Sequence, residues 1–532
     1  MTRTGPAQRF RATTAALAAV LFLLAGSTSA AADHDGPSLD AALFAKIDTF
    51  LASERDASDI PGLAVVIVAG DQIVHTGALG VADGSGRPVT PDTPFVLASV
   101  SKAFTATAVM QLVEAGLVEL DAPVQRYVSW FRVADEPASA RITIAQLLHH
   151  TSGIPASSAS NDDQDEGALE RRVRALASER LLFDPGTGYE YTNAGYDVLG
   201  FVVQSVSGLP FDQYVEEHIL SPLGMVHSHA LATDAFADGA SEAFFRWFGV
   251  ATMPTRVPHP RAEGPAAMVF SSANDMGRWI IANLNGGRVG QARILSDAGM
   301  AMLHAPAVET DPEHAYAMGW AVRPYWEALE VAGAPPTSYS LPALIEHEGA
   351  SPTAHTYVGL VPERGWGFAV LMNTFDWIDG SAYAHVEQGI QRLLAGKEPL
   401  PAYPGRDLID RNARNIAIGL LVLELVSLVW SIRVIRHWSG PAGLRPTGRR
   451  AAVALAVPLV LDVFVLALLL VFIPAVFDTS LAEALTYQPD APWIVLPLLL
   501  LGGLWGTVRT ITLGALYLRE RYPRAGAAAS TL

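Results

Sequence analysis

The chain of 532 residues contains no cysteine and only three lysines. The absence of cysteine excludes disulfides, thiolate metal sites, cysteine nucleophiles and lipid attachment through a cysteine. Arginine supplies nearly all of the positive charge, so each lysine is a candidate for a role that arginine cannot fill. Arginine keeps its proton at any accessible pH, whereas a desolvated lysine can lose its proton near neutrality and act as a base.

The chain is short of positive charge overall, with a formal net charge of −17. Residues 31–412 alone carry −24, because the first 30 residues contribute +3 and residues 413–532 contribute +4. A surface of that charge repels nucleic acid and anionic lipid headgroups, and no basic stripe in this part offsets it. We therefore expect no nucleic-acid partner.

The first 32 residues have the layout of a secretory signal peptide. Three arginines precede an apolar run, and small residues around Ala30 and Ala32 suit a cleavage site. An uncleaved membrane anchor is the alternative, although the run is short for a helix that spans a bilayer. On the first interpretation the residues that follow are exported.

Three long apolar stretches follow one another near the C-terminus, at about 415–432, 451–477 and 491–516. Each is long enough to cross a bilayer, whereas three buried core helices with so few charges would be unusual in a soluble domain. The loop between the first two carries five arginines and no acid, and the next loop carries three acids and no base. By the positive-inside rule the arginine-rich loop and the C-terminus are cytoplasmic, so the chain before the first helix is extracytoplasmic.

These patterns divide the chain into four parts with different compositions. The parts are a signal peptide (1–32), a globular domain (33–399), a linker (400–412) and a membrane domain (413–532). The three apolar stretches of residues 413–532 predict a multi-pass membrane protein in contact with lipid.

Three charged residues, Glu424, Asp462 and Arg509, lie inside the apolar stretches. Charges within a bilayer are costly, so they are expected to face the interior of the helix bundle. We expect Arg509 to pair with one acid, leaving the other acid protonated or facing a polar cavity. A structural clamp is the first interpretation, and a proton or substrate path is the alternative.

The globular domain mixes strand and helix patterns, which predicts an α/β fold. Two β-rich runs at 62–70 and 73–80 predict a hairpin near its start, and a second hairpin near its end should turn at Pro362–Gly365. We expect the strands from the two ends of the domain to share one sheet. Between them, apolar residues at helical spacing predict a buried helix that begins near Ser99 and ends at Gly116.

Ser99 and Lys102 form the pattern S-x-x-K at the start of this helix. Residues three apart on a helix lie on one face, about one turn apart, so the lysine amine can reach the serine hydroxyl. A serine hydroxyl is a poor nucleophile until a base lies within hydrogen-bonding distance. Because the pattern also arises by chance, the interpretation needs partners elsewhere in the chain.

Three further stretches accompany the S-x-x-K pattern. They are RITIAQLLHHTSGIP at 141–155, PGTGYEYTNAGYDVLG at 185–200 and LIEHEGASPTAH at 344–355. Together the four motifs resemble the β-lactamase-related serine hydrolases, a family that includes class C β-lactamases, penicillin-binding carboxypeptidases, D-aminopeptidases and esterases. The resemblance implies a β-lactamase/transpeptidase-like domain, with an antiparallel sheet flanked by helices and a helical subdomain. It does not extend to the membrane domain.

Carried over to the matching positions, the resemblance assigns three catalytic residues. Ser99 would be the acylating nucleophile, Lys102 the amine that helps remove its proton, and Tyr191 a second proton carrier. A tyrosine surrounded by cations can ionise, since positive charge lowers its usual pKa of about 10. The resemblance implies no cofactor and no metal.

The same resemblance assigns the residues that would bind the substrate. Asn193 would hold a substrate amide or ester, and His347 and Gly349 fall on the strand that carries Lys-Thr-Gly in other members. The backbone amides of Ser99 and Ala350 would form the oxyanion hole. Glycine would let this strand approach the acyl group closely.

Two adjacent histidines, His149 and His150, precede the turn at Thr151–Gly153. A structural role in bonding the backbone around this turn is expected for both of them. Metal ligation is the alternative interpretation.

The chain departs from the class C pattern at His347 and Glu348, where those enzymes have lysine and threonine that hold the substrate's carboxylate. A carboxylate at Glu348 should repel anionic substrates and suit neutral or cationic ones. We therefore expect a membrane-anchored, extracytoplasmic serine hydrolase that acts on a peptide, a D-amino-acid amide or an ester. A D,D-carboxypeptidase or β-lactamase proper is one alternative, and a sensor that is slowly acylated by a cell-wall fragment or β-lactam is another.

Overall fold

The computed structural model describes residues 39–156, 163–247, 251–255, 259–325, 336–351, 353–376, 381–400, 408–440, 448–472 and 491–521. The signal peptide predicted at 1–32 lies outside these residues, and so do residues 401–407 of the predicted linker. The boundaries proposed for these two parts therefore stay predictions.

The strands of the globular domain assemble mainly into one sheet. They are β1 (Gly62–Ala69), β2 (Gln72–Gly80), β3 (Phe95–Val96), β4 (Ala243–Trp247), β5 (Ala251–Thr255), β6 (Phe270–Ser271), β7 (Arg288–Val289), β8 (Ala292–Arg293), β9 (Val308–Glu309), β10 (Ala315–Tyr316), β11 (Ala321–Pro324), β12 (Ala343–Ser351), β13 (Ala354–Val361), β14 (Trp366–Met372) and β15 (Thr374–Phe375). Eight of them form an antiparallel sheet in the order β2-β1-β14-β13-β12-β11-β10-β9. The predicted antiparallel sheet is confirmed.

Both predicted hairpins are present in this sheet. In the first, Ala69 of β1 lies opposite Gln72 of β2. In the second, the turn between β13 and β14 covers Pro362–Gly365, and Gly365 has a φ of 65°, a left-handed conformation that favours glycine. Leu63 of β1 also pairs with Met372 of β14, so the strands from the two ends of the domain share one sheet, as predicted.

Helices cover both faces of the sheet and build a separate helical part. They are α1 (Ala41–Ser58), α2 (Ser101–Glu114), α3 (Glu136–Ser139), α4 (Ile144–Leu148), α5 (Ala168–Ala175), α6 (Asn193–Ser207), α7 (Phe211–Val215), α8 (Ser221–Leu223), α9 (Ala232–Ala237), α10 (Gly264–Ala267), α11 (Ala273–Leu284), α12 (Asp297–His304) and α13 (Ser381–Leu394). Helices α1 and α13 pack together on one face, and α11 packs against β1 and β14 on the other. The helical part centres on α6, which packs against α2, α4, α5 and α10.

Strand β1, next to the edge strand β2, is buried on both faces, which explains its continuous apolar sequence. Successive side chains of a strand point to opposite faces, so Val66 joins the core under α2 and α11 while Val65 joins the core under α1 and α13. In the first core Phe104 of α2 stacks on Trp279 of α11, with ring centroids 4.0 Å apart. Burying each large apolar side chain contributes about 1.5–3 kcal/mol, so this first core holds α2 in place.

The C-terminal part is almost entirely helical over its described residues. It consists of α14 (Leu408–Trp438), α15 (Arg449–Ala467), α16 (Ala491–Leu499) and α17 (Gly506–Arg521), with π-helical turns at Leu468–Phe472 and Leu500–Trp505. Three spans are long and apolar enough to cross a membrane, at Asn415–Trp438, Ala451–Val471 and Pro492–Leu518. The three predicted apolar helices are thus confirmed, although α14 begins inside the range predicted as a linker and residues 473–477 lie outside the described part.

Candidate active site

Ser99 lies in a tight turn between β3 and α2. A single 3₁₀ turn covers Ala98–Val100, and helix α2 starts at Ser101, so Ser99 lies just before the helix as the sequence predicted. The residue before it, Ala98, is buried and has a φ of 46°, in the left-handed region. That conformation costs a non-glycine residue about 1–2 kcal/mol, and strain of this kind clusters at active sites.

Lys102 connects Ser99 to two other elements. Its Nζ lies 3.1 Å from Ser99 Oγ, 2.7 Å from Asn193 Oδ1 and 3.0 Å from the carbonyl oxygen of Ala266 in α10. The side chain is fully buried. Burial therefore lowers the pKa of Lys102 to about 7, although the nearby carboxylates of Asp197 and Glu263 favour the charged form. The predicted pairing of the lysine with the serine is present in the structure.

Tyr191 lies on the other side of the same amine. The Nζ of Lys102 is 4.7 Å from the centroid of the Tyr191 ring, and the tyrosine hydroxyl is near enough to Ser99 for that serine to favour its ionised form. Burial raises the pKa of Tyr191 above its ordinary value, and this effect exceeds the opposing effect of Ser99. The expectation that Tyr191 ionises is therefore contradicted: at neutral pH its hydroxyl keeps its proton.

Asn193 is the first residue of α6, and a local cap fixes its position. Thr192 precedes it as the N-cap, where its Oγ1 accepts a hydrogen bond from the Ala194 amide at 3.2 Å and donates one to the Pro155 carbonyl at 3.0 Å. The side-chain amide oxygen of Asn193, Oδ1, then accepts a hydrogen bond from Lys102. This oxygen thus orients the lysine, a contact that the resemblance alone did not indicate, and substrate binding by Asn193 stays a prediction.

Strand β12 lies directly against the turn that carries Ser99. A Cβ atom added to Gly349 would come 2.1 Å from the carbonyl oxygen of Leu97 and 2.3 Å from Thr356 Oγ1, so only glycine fits. The next residue, Ala350, pairs with His355 of β13. This close approach places the backbone of β12 beside the nucleophile, and the oxyanion hole assigned to Ser99 and Ala350 stays a prediction.

His347 is buried beside Tyr191 and Tyr316. Its Nδ1 lies 2.7 Å from the carbonyl oxygen of Glu348 and its Nε2 lies 3.1 Å from the Tyr316 hydroxyl. Because a carbonyl oxygen only accepts, Nδ1 carries the proton and Nε2 accepts one from Tyr316. Burial, together with the charge of Lys102, lowers the pKa of His347 to about 3. The imidazole is therefore neutral across the physiological range.

Glu348 does not point into the site. Adjacent residues of a strand face opposite sides, and the Glu348 carboxylate lies 3.5 Å from Nδ1 of His355, on the face of the sheet opposite His347. Its side chain is 56% exposed. The expectation that this carboxylate repels a bound substrate is therefore not supported by its position, and the neutral His347 remains the relevant difference from a lysine.

His150 and Tyr316 are site neighbours that the sequence did not identify as such. His150 is fully buried with a φ of 58°, and its ring centroid lies 4.4 Å from that of Tyr191 and 4.7 Å from that of Tyr316. Its Nδ1 accepts a hydrogen bond from the Thr192 amide at 3.2 Å. His150 thus has a structural role in bonding the backbone, but the backbone it bonds is that of Thr192 and not the predicted turn at Thr151–Gly153. The only sequence feature that pointed to His150 as a neighbour of the site was its position directly before the Thr151–Gly153 turn.

Comparison with known proteins agrees with this geometry. Residues 47–389 match the protein family described as Beta-lactamase. Penicillin-binding protein 4 of Amycolatopsis lactamdurans is 32% identical over 325 residues, which cover 60% of this chain and 82% of that protein. Protein flp of Staphylococcus aureus strain COL is 26% identical over 331 residues, so this chain spans only 62% of that relative.

Two solved structures share the fold. The octameric penicillin-binding protein homologue from Pyrococcus abyssi has a TM-score of 0.57 at 23% identity and covers 67% of this chain and 78% of its own. A mutant class C β-lactamase has a TM-score of 0.56 at 19% identity and covers 67% of this chain and 97% of its own. At these identities the two structures establish the β-lactamase/transpeptidase fold and nothing further about the reaction.

Proposed function

Because the chain belongs to the β-lactamase family, we propose that it is a serine hydrolase that cleaves esters or amides without a carboxylate through an acyl-enzyme on Ser99. D-amino-acid amides and peptides with a blocked C-terminus are included in this class. The observation that carries the proposal is the contact between Ser99 and Lys102, a buried amine whose pKa of about 7 lets it act as a base.

The acylation step follows from these contacts. Neutral Lys102 accepts the Ser99 proton while Ser99 Oγ bonds to the substrate carbonyl carbon. As the tetrahedral intermediate collapses, the protonated Tyr191 donates its proton to the departing alcohol or amine and recovers one from Lys102, so the enzyme regains its starting protonation. Water then attacks the acyl-enzyme and releases the acid and free Ser99. Each transfer is between neighbouring groups.

The negative charge that develops on the carbonyl oxygen also needs a partner. We assign this role to the backbone amides of Ser99 and Ala350, because Gly349 brings β12 into contact with the loop before Ser99. Fixed amide donors of this kind stabilise the transition state without any reorganisation.

The choice of substrates without a carboxylate rests on His347. A neutral imidazole offers no positive charge to a substrate carboxylate, and its Nε2 is already engaged by Tyr316. A β-lactamase or D,D-carboxypeptidase acts on carboxylate-bearing substrates, for which a cation at this position is more favourable. Esters and amides without a carboxylate suit the site better.

The membrane part gives the enzyme its proposed location. Three helices could cross a membrane, and eight of the ten arginines in residues 413–532 lie between the first two predicted apolar stretches or in the tail. We place these arginines in the cytoplasm and the hydrolase domain outside, anchored at the membrane surface.

The proposed function is tested by a turnover screen of the full chain in detergent. The substrates are p-nitrophenyl esters, D-amino-acid anilides, D-Ala-D-Ala peptides and a chromogenic cephalosporin. We expect hydrolysis of an ester or D-amino-acid anilide that depends on Ser99. Cephalosporin turnover at the rate of the best ester would overturn the proposed substrate class, and turnover unchanged without Ser99 would overturn the function.

The protonation of Lys102 predicts the pH dependence of the reaction. The amine must be neutral to act as a base, and its pKa is lowered to about 7, so kcat/KM should rise with pH through about 7 and then level off. The Tyr191 pKa is raised, so no loss of its proton limits the plateau at moderately alkaline pH. The measurement is kcat/KM for a non-ionising ester across a pH series. A profile that falls as pH rises through 7 would contradict the assignment of Lys102.

Replacing His347 with lysine should shift selectivity toward carboxylate-bearing substrates. A charge-assisted hydrogen bond contributes about 1.5–3 kcal/mol, so the ratio of kcat/KM for carboxylate-bearing over neutral substrates should rise about 10- to 100-fold. Glu348→Thr is the matched control, because its carboxylate faces the other side of the sheet and its loss should leave the ratio nearly unchanged. If Glu348→Thr alone produced the shift, the role given to His347 would be wrong.

A further inference from the structure

The interior of the helix bundle contains three ionisable side chains that the hydrolase mechanism does not use. Glu424 of α14, Asp462 of α15 and Arg509 of α17 are each no more than 2% exposed. Arg509 donates a hydrogen bond from Nη2 to Asp462 and another from Nη1 to Ser427 Oγ, at 2.9 Å. The predicted pairing of Arg509 with one acid is therefore confirmed, and that acid is Asp462.

Glu424 is the acid that does not pair with Arg509. Neither of its carboxylate oxygens has a hydrogen-bond partner among the described residues, and the same holds for Oδ1 of Asp462. The charged groups that face Glu424 are Asp462 and Arg509. The segment Ala491–Trp505, which also packs against α14, contains no ionisable residue. With both acids ionised the cluster would carry one uncompensated negative charge.

The surrounding backbone is shaped to accommodate the cluster. A Cβ atom on Gly506 would come 2.5 Å from Asp462 Oδ2, so glycine makes room for the carboxylate at the start of α17. The π-helical turn Leu500–Trp505 ends directly before this glycine, and π-helical turns occur frequently at functional sites. Trp505 Nε1 donates to Ser431 Oγ at 3.1 Å, a polar contact between this turn and α14.

We propose that Glu424 is a proton-binding site inside the membrane bundle. A proton on Glu424 removes the uncompensated charge and gives this side chain a hydrogen-bond donor beside the Asp462 carboxylate. An unpaired charge in an apolar interior is costly, which favours the protonated acid over the carboxylate. A bound metal cation suits the cluster less well, because Arg509 already places a positive charge against Asp462 and a metal ion requires more oxygen ligands than these carboxylates provide.

The test uses dicyclohexylcarbodiimide, an apolar reagent that adds to protonated carboxyl groups. The carboxylic O–H adds across one C=N bond, and the O-acylisourea formed rearranges to a stable N-acylurea without loss of any group. The full chain is treated in detergent across a pH series, and the adduct is located by peptide mass spectrometry. We expect an adduct on Glu424 that decreases as pH rises, and little on Asp462.

Two variants separate a proton site from a purely structural acid. Glu424→Gln should remove the adduct while leaving protein abundance and thermal stability nearly unchanged, because glutamine is neutral like the protonated acid. Asp462→Asn should lower abundance, because it leaves Arg509 without its carboxylate. Absence of the adduct on Glu424 at every pH, or clear destabilisation by Glu424→Gln, would overturn the proposal. Protection of Glu424 by sodium at constant pH would overturn it in favour of a cation site.

Discussion

Replacing Ser99 with alanine is expected to lower kcat/KM by about four to six orders of magnitude, the range seen when a serine nucleophile is removed from a hydrolase. The same variant should lose covalent labelling by a fluorophosphonate probe. Ser99 is the hydroxyl that the buried amine of Lys102 and the Tyr191 hydroxyl both contact. Alanine has no hydroxyl to acylate and fits the same turn, so the loss is chemical and not a loss of folding.

A neighbouring serine provides the control for this experiment. Ser101, two residues later, is fully buried, and its Oγ accepts a hydrogen bond from the Val269 amide at 3.0 Å. Ser101→Ala removes a structural hydrogen bond, which costs about 0.5–1.5 kcal/mol of stability, and should leave labelling intact. Labelling that survives in Ser99→Ala and disappears in Ser101→Ala would move the nucleophile to the other serine.

Replacing Lys102 with arginine should lower kcat/KM by about 10²- to 10⁴-fold, the usual contribution of a general base. Arginine keeps the positive charge but cannot accept a proton near neutrality, and its planar guanidinium cannot reproduce the three contacts of the amine. Steady-state kinetics with the best ester measures the loss. The rise of kcat/KM with pH through about 7 should also disappear, because the group responsible for it is gone.

Lys46 is the matched control for this substitution. Its side chain is 61% exposed and pairs with Glu398 at the surface, 3.1 Å away. Lys46→Arg keeps that pairing possible and should leave both kcat/KM and its pH profile unchanged. Turnover close to wild type in Lys102→Arg would show that another group removes the serine proton, and Tyr191 would be the first candidate.

The sequence predicted those parts of the fold and site that depend on short-range patterns. Alternating and helical periodicity located both hairpins and helix α2, and the spacing of Ser99 and Lys102 was enough to predict their contact. The roles of Tyr191 and Asn193 came from the resemblance to a family, because nothing local distinguishes them from turn residues. Tyr191 and Asn193 both lie against the Lys102 amine only because the chain folds these segments together, which no local pattern predicts.

Two expectations failed for physical reasons that differ. Glu348 was expected beside the substrate, yet strand alternation alone places it on the face opposite His347, so the sequence contained the necessary signal once β12 was recognised as a strand. The ionised form of Tyr191 was expected from nearby positive charge. Burial outweighs that effect, and burial depends on packing that no local pattern reveals.

In the membrane part, the sequence identified three charged residues and the pairing of Arg509 with an acid. The sequence did not show which of the two acids pairs with Arg509, because the answer depends on how each helix is rotated about its axis. The structure places Asp462 within reach of Arg509 and leaves Glu424 unpartnered among the described residues.

The pairing of β1 with β14 has a consequence for how the domain forms. Leu63 and Met372 are neighbours in the sheet but lie about 300 residues apart in the chain. Contacts between such distant residues form slowly, and synthesis proceeds from the N-terminus, so the β1–β2 hairpin is made long before its partner strand exists. Until β14 arrives, one edge of β1 offers unpaired backbone groups and apolar side chains on both faces. That edge is where premature association between nascent chains would begin.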